Sequence, residues 1–387
     1  PRNGDAGPAV FHIARFLPGL SPGRRGQPPE GAGGHALALP EDTGEGFVGF
    51  IPHLDGDLGD SKGRGPQEGA GLADAQVMGD RVDQVVERLI AVPATPTGSG
   101  DPELSIRLRL EPDPGAGMVA AALADGRLIK TFSFRGATHL MTPEQAAVHL
   151  AVRCAGRQWE LTSWRTHYRL QPDDWPALRA VVRERACSPA TWAELAEAVA
   201  AEPRFAHLEP EFTGENWTLL KPFMWQGDLC FGPSVDRVVT FQALASNPHW
   251  SGLMPLREAG PRAVLAYLDG YGPATAAHLQ YWLGGGLSGG RRRIDGWLDQ
   301  VRPQLTEMHV HGRPALVGSE HVDELRATAT DPTTLLLPGY DQWVVGAGTA
   351  DESIVPPALR PATTKGVGLV LVGGRAVGTW NYRQVQF

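Results

Sequence analysis

Residues 191–241 read TWAELAEAVAAEPRFAHLEPEFTGENWTLLKPFMWQGDLCFGPSVDRVVTF. Thr191 and Glu194 have the spacing of a capping box, in which the threonine hydroxyl accepts from the backbone N–H at Glu194 and the carboxylate reaches back. A short helix through Val199 is predicted from it. A second helical run, ENWTLLKPFMWQ, is predicted to stop at Gly227, a residue suited to the left-handed position after a helix. LCF and RVVTF then read as two strands about the turn GPSVD. Helix, turn, helix and two-stranded hairpin is the order of a winged helix.

The same order recurs on both sides. Downstream, GPATAAHLQYWLG (residues 272–284) reads as a helix opened by Pro273, whose missing N–H has no partner to lose in a first turn. In RRRIDGWLDQV, Ile294, Trp297, Leu298 and Val301 recur at i, i+3, i+4 and i+7 and define one buried stripe. LTEMHV and RPALV flank His311-Gly312 as a hairpin. Upstream, a looser copy has helices over 82–91 and 118–125, then the hairpin KTFSF-RG-ATHLM, which runs into a capping signal at Thr142 to Gln145. The predicted fold class is α+β, with tandem winged helices over 76–180, 181–257 and 258–328. Residues 329–387 hold short Val- and Leu-rich strands with no helix-length pattern between them, which reads as a small β-barrel or sheet.

Composition bounds the rest. At 387 residues and 42% apolar content the chain can bury a large core. It lacks a run of ~20 apolar residues and a signal peptide, so a soluble cytoplasmic protein is expected. Cys154, Cys187 and Cys230 form no CxxC and are read as buried free thiols. Residues 1–75 hold 17 Gly and 9 Pro and carry a net charge of −4, half of the formal −8. This composition reads as a disordered segment and leaves room for a basic face on the remainder. The chain opens on Pro1 rather than Met and closes on a strand, which reads as a fragment. GEGFVG at 44–49 fits GxGxxG without a preceding strand and is treated as a loop.

FRGATHLMTPE (134–144), GPATAAHLQYWLG, LLPGYDQWVVG (336–346) and VLVGGRAVGTW (370–380), in this order, resemble the AlkZ and YcaQ superfamily of DNA glycosylases. The resemblance covers roughly residues 82–387. It implies three winged helices around a concave DNA-binding surface, a β-rich C-terminal end, and excision of alkylated bases from double-stranded DNA. No cofactor and no metal are expected.

The family's catalysis rests on Gln-x-Gln or Gln-x-Asp in the first winged helix, shortly before a DP-like turn. Here VPATPTGSGDP (92–102) fills that place. One alignment puts Pro93 and Thr95 at the two polar positions, and another puts Gly98 and Gly100 there. Neither supplies a glutamine. Cleaving the N-glycosidic bond of a cationic alkylated purine passes through an oxocarbenium-like sugar, which needs positioned water and a dipole or anion to steady the charge. Asp101 and Thr95 are the candidates that remain. Asp101 before Pro102 and Glu103 is also a favoured helix N-cap, and the cap is the stronger reading.

Arg291, Arg292 and Arg293 open the expected recognition helix and are candidate DNA contacts, with Arg313 on the following hairpin. Arg135 and His139 lie in the hairpin resembling the family's wing and join them as candidates. Asp341 in LLPGYD is read as serving a tight turn through Pro338 and Gly339. GLSGG (286–290) fits GxSxG but follows a helix rather than a strand, so it is read as a turn. His309 and His311 lack a third ligand at metal spacing. A glycosylase-like DNA binder is therefore expected. The alternatives are a non-enzymatic DNA-binding regulator and a protein-interaction module anchored by exposed tryptophans such as Trp192 or Trp225.

Overall fold

The computed structural model describes residues 78–94, 101–111, 113–213, 217–285, 288–310, 312–328, 333–381 and 384–386. The Gly- and Pro-rich segment 1–75, Thr95, Gly98, Gly100, Gly286 and His311 lie outside these residues.

A helix, a short strand, further helices and an antiparallel strand pair make up the first set. It comprises α1 (Val82–Arg88), β1 (Val92–Pro93), α2 (Pro102–Arg107), α3 (Met118–Ala124), β2 (Ile129–Phe132) and β3 (Thr138–Met141), with sheet order β1-β3-β2. Helix α1 stops three residues short of the expected Ala91. Ile90 takes φ 66°, a conformation rare for a β-branched residue, and breaks the helical path. Thr142 then caps α4 (Pro143–Cys154) by accepting from Gln145 N at 3.2 Å, and α5 (Thr162–Tyr168) follows.

The second set is α6 (Trp175–Arg185), β4 (Ala190–Thr191), α7 (Trp192–Ala200), α8 (Glu209–Thr213), α9 (Lys221–Trp225), β5 (Leu229–Phe231) and β6 (Thr240–Ala243), with sheet order β4-β6-β5. The capping box at Thr191 and Glu194 is formed in both directions. Gly227 has φ 74°, the left-handed value expected after a helix. The helix before it is shorter than expected, spanning five residues with Pro222 in its first turn. Trp225 is 1% exposed, and Trp192 stacks on Phe212 at 4.6 Å. Trp225 fills the core of this set, and Trp192 is half-buried against it.

The third set is α10 (Leu256–Tyr271), α11 (Ala276–Gly284), α12 (Arg291–Val301), β7 (Leu305–Val310) and β8 (Arg313–Gly318), followed by α13 (Val322–Ala327). Pro273 does not open α11. The helix starts where a side chain can satisfy its first amides, at Thr275, whose hydroxyl accepts from His278 N. Helix α12 buries Ile294, Trp297, Leu298 and Val301, the four residues of the predicted stripe. At roughly 1.5–3 kcal/mol per buried large apolar side chain, that stripe decides where α12 sits and which face it leaves outward.

The C-terminal segment contains β9 (Thr334–Leu337), α14 (Gln342–Ala347), α15 (Arg360–Thr364), β10 (Gly368–Val372), β11 (Arg375–Asn381) and β12 (Gln384–Gln386). Its strands pair in the order β12-β11-β10-β9, an open four-stranded sheet and not a barrel. Two short helices interrupt what reads as strands alone. Asp341 starts α14 by accepting from Trp343 N at 3.0 Å, and six residues are too few to show a helical period. Among the cysteines, Cys230 is buried, Cys154 is half-buried and Cys187 is exposed, which corrects the expectation of three buried thiols. No described helix is long and apolar enough to cross a membrane.

Candidate functional site

Strand β1 places Pro93, a motif position in one of the two alignments, in the first sheet. Pro93 pairs with His139 and Val92 with Leu140, while Ala94 N donates to Thr138 O at 2.9 Å. That bond makes residues 94 and 138 a hydrogen-bonded pair, so 93 and 139 form the intervening non-bonded pair. Proline is tolerated there because its missing donor would point away from β3. Non-bonded partners lie on one face with side chains close together, so Pro93 stands beside the His139 imidazole. Across the chain from β1, Asp101 Oδ1 accepts from Leu104 N at 2.8 Å and caps α2, with Pro102 in the first turn.

His139 is 2% exposed, so the expectation that it reaches substrate from the surface is corrected. Its Nδ1 lies 2.9 Å from Ser133 Oγ and 3.1 Å from Ala137 O. A carbonyl can only accept, so Nδ1 carries the hydrogen and Nε2 is left as an acceptor. Burial, reinforced by the neighbouring Arg135 charge, lowers its pKa to about 3. It is a neutral dipole beneath the turn that carries Arg135, not a phosphate-binding cation. His149, also pushed down to about 3 by burial, sits 5.2 Å from the Phe134 ring.

The turn Phe134–Gly136 is pinned from several sides. Phe134 stacks on Trp282 at 4.1 Å. Arg135 takes a left-handed φ of 52°, and its guanidinium lies 4.5 Å from the Tyr281 ring centroid. A Cβ added at Gly285 would meet Arg135 Cγ at 2.8 Å, and one at Gly136 would lie 3.6 Å from Lys221 Nζ. Gly285 opens the segment between α11 and α12, and Gly290 closes it as the N-cap of α12. Arg291, Arg292 and Arg293 are exposed on the first turn of that helix, and Arg293 Nη1 donates to Gly289 O at 3.3 Å. Arg135 therefore packs at one end of a short segment whose other end carries the arginine triplet. Arg313, exposed at the start of β8, lowers the pKa of His278 in the first turn of α11, behind the larger effect of burial.

One electrostatic feature separates these five arginines from most others. Arg107, Arg109, Arg127, Arg179, Arg183 and Arg360 are among those that pair with carboxylates. Arg135, Arg291, Arg292, Arg293 and Arg313 form no salt bridge among the described residues. In a chain of formal charge −8, uncompensated guanidinium groups on one helix end and its neighbouring turn are available to an external anion. Lys221 Nζ, beside Gly136, also lies 5.5 Å from the Phe132 ring and adds a cation to this turn. Sequence pattern missed it because its neighbour in space is 85 residues earlier in the chain. Asp269, Glu320 and His321 each bring a ligand atom within 4.8 Å of the others, but on the surface, where the Asp269 hydrogen bond raises the His321 pKa. This is the arrangement of an ion-pair cluster.

Residues 86–386 match the family described as DNA glycosylase AlkZ-like. The chain is 33% identical over 285 residues, 72% of this chain and 76% of the relative, to an interstrand DNA cross-link repair glycosylase from Streptomyces sahachiroi. It also resembles the solved structure of the Streptomyces sahachiroi DNA glycosylase AlkZ, with a TM-score of 0.71, 33% identity, and coverage of 78% of this chain and 83% of that one. By sequence over most of its length and by fold, the chain belongs to the AlkZ-like DNA glycosylase family.

Proposed function

We propose that this protein binds double-stranded DNA through three winged helices and releases alkylated bases from it. The modules span residues 76–180, 181–257 and 258–328, with 329–387 as a bracing segment. The observation that carries the reading is the set of arginines at the head of α12 and on the Phe134–Gly136 turn that form no salt bridge among the described residues. Arg291, Arg292, Arg293, Arg135 and Arg313 are assigned to phosphates, with Arg135 held in place by Tyr281 so that little side-chain entropy is lost on binding.

In base release, water adds its oxygen to C1′ as the C1′–N bond breaks. The bonding electrons neutralise the cationic purine, and the water's proton passes to an acceptor. Asp101 and Thr95 are assigned the roles of the family's polar pair, Asp101 steadying the developing sugar cation and Thr95 orienting water. Pro93 offers no side-chain amide at the aligned position, and this favours a second reading in which the protein binds duplex DNA without cleaving it. One experiment separates the two. Incubated with a duplex bearing alkylated purines, the protein is expected to release free base and leave abasic sites. Salt-sensitive duplex binding without abasic sites supports the second reading, and no retention of DNA at low salt removes both.

A further inference from the structure

A buried polar node lies behind the candidate site and joins four segments distant in sequence. Asp341, 2% exposed, receives Arg109 Nη2 on Oδ1 at 2.8 Å and Arg109 Nη1 on Oδ2 at 2.9 Å. Ser105 Oγ donates to the same Oδ2 at 2.9 Å, and Arg109 Nη1 also donates to Ser105 O at 2.6 Å. The next residue, Gln342, donates from Nε2 to Tyr271 Oη at 2.8 Å, and Tyr271 Oη donates to Leu89 O at 2.6 Å. Arg109 and Gln342 are fully buried and Tyr271 is 3% exposed. Gly346 makes the approach possible, since a Cβ there would meet the Tyr271 ring at 2.5 Å.

The node's two arms end on either side of the family's motif position. Leu89 precedes the strained Ile90 and the strand that carries Pro93, while Ser105 is one helical turn beyond Asp101 in α2. Asp101 O accepts from Ser105 N at 2.9 Å, so the backbone flanking Pro93 and Asp101 is tied to one C-terminal dipeptide. A short strand of two residues and a six-residue helix have little rigidity of their own. Buried charge-assisted hydrogen bonds supply it, and the cost of leaving any member unpaired holds the geometry.

We infer that Arg109, Asp341, Gln342 and Tyr271 are positioning residues, through which the C-terminal segment sets the placement of Pro93 and Asp101. The catalytic consequence rests on the proposed glycosylase reading, whereas the structural one does not. The test uses Tyr271→Phe and Ser105→Ala in the full chain, because Asp341→Asn strands Arg109 and can fail to fold. Amide exchange is expected to quicken by about tenfold at residues 90–94 and 101–107 while α7 and α12 keep their protection. Single-turnover base release is expected to fall by about fivefold, with affinity for an abasic-site duplex within about twofold of the parent. Unchanged exchange at both flanks, or exchange that quickens equally over the whole chain, overturns the inference. If the parent protein releases no base, the proposed function fails and the exchange measurement alone decides the role of the node.

Discussion

Pro93 and His139 face one another as a non-hydrogen-bonded pair across β1 and β3, and the imidazole Nε2 is the acceptor left over after Nδ1 is engaged. If Pro93 aligns with the family's first glutamine, this chain sets a proline against a neutral histidine there. Pro93→Gln adds two N–H donors next to that acceptor without removing a ladder hydrogen bond. Together with Thr95→Gln it is expected to raise the rate of base release by about tenfold or more, measured as abasic sites formed in a single turnover. An unchanged or lower rate in a folded double variant would place the reacting sugar elsewhere.

Asp101 has a structural duty as well as the assigned catalytic one, and two substitutions separate them. Asp101→Asn keeps an oxygen for Leu104 N, so its effect on stability is small, whereas Asp101→Ala loses the cap at a cost of about 1 kcal/mol. If the carboxylate steadies the sugar cation, both variants lose most of their base release. Loss in the alanine variant only, in step with its melting temperature, assigns Asp101 to the cap.

The two buried histidines make an acid-sensitive fold. Below pH 6.5 the unfolded chain protonates His139 and His149, while the folded chain refuses those protons until about pH 3. The unfolded state thus binds more protons throughout that window, and stability falls as pH falls from 6.5 towards 3. Each histidine contributes up to about 1.4 kcal/mol per pH unit. Denaturant midpoints between pH 7.5 and 4.5 are expected to drop steeply in the parent and less steeply in His149→Gln. A flat profile would place both rings in contact with solvent.

Replacing unpaired arginines should be read through salt. Each phosphate contact contributes a slope of about −0.9 in log K against log salt, so Arg291→Ala, Arg292→Ala and Arg293→Ala combined are expected to flatten the plot by up to about 3. Arg157→Ala serves as the control, because that guanidinium already pairs with Glu160. Equal effects in the triple variant and the control would mean that binding reads net charge and not this helix.

How much of this was legible in the sequence depended on range. The capping box at Thr191, the stripe of α12 and the turn at Gly227 were legible because their signals lie within a few residues of the structure they produce. The start of α11 and the helix at Gln342 were not. Both are set by a single side-chain oxygen competing with proline and strand-forming neighbours, and both helices are short. At the site, the exposed arginines were visible as a run, but the burial of His139 and the neighbourhood of Lys221 depend on packing between segments remote in sequence. Asp341 was read as a turn residue, and it does cap α14. Its ion pair with Arg109, 232 residues away, has no local signature.

Gly260 tests whether packing beneath α12 sets the direction of its arginines. In an exposed helix interior, Gly→Ala stabilises by roughly 0.5–1 kcal/mol by restricting the unfolded chain. In α10 the sign reverses, because a Cβ at Gly260 would stand 2.1 Å from Trp297 Cε2, a ring atom of a buried side chain that cannot swing clear. The overpacking is expected to cost about 1–3 kcal/mol. The strain is relieved by moving α12 away from α10, and this shifts Arg291, Arg292 and Arg293 together. Gly260→Ala is accordingly expected to lower both the denaturant midpoint and duplex affinity, although no residue near position 260 is assigned to DNA. Stability lost with affinity unchanged would show that the arginines tolerate movement of their helix, and would weaken the assignment of phosphate contacts to that end of α12.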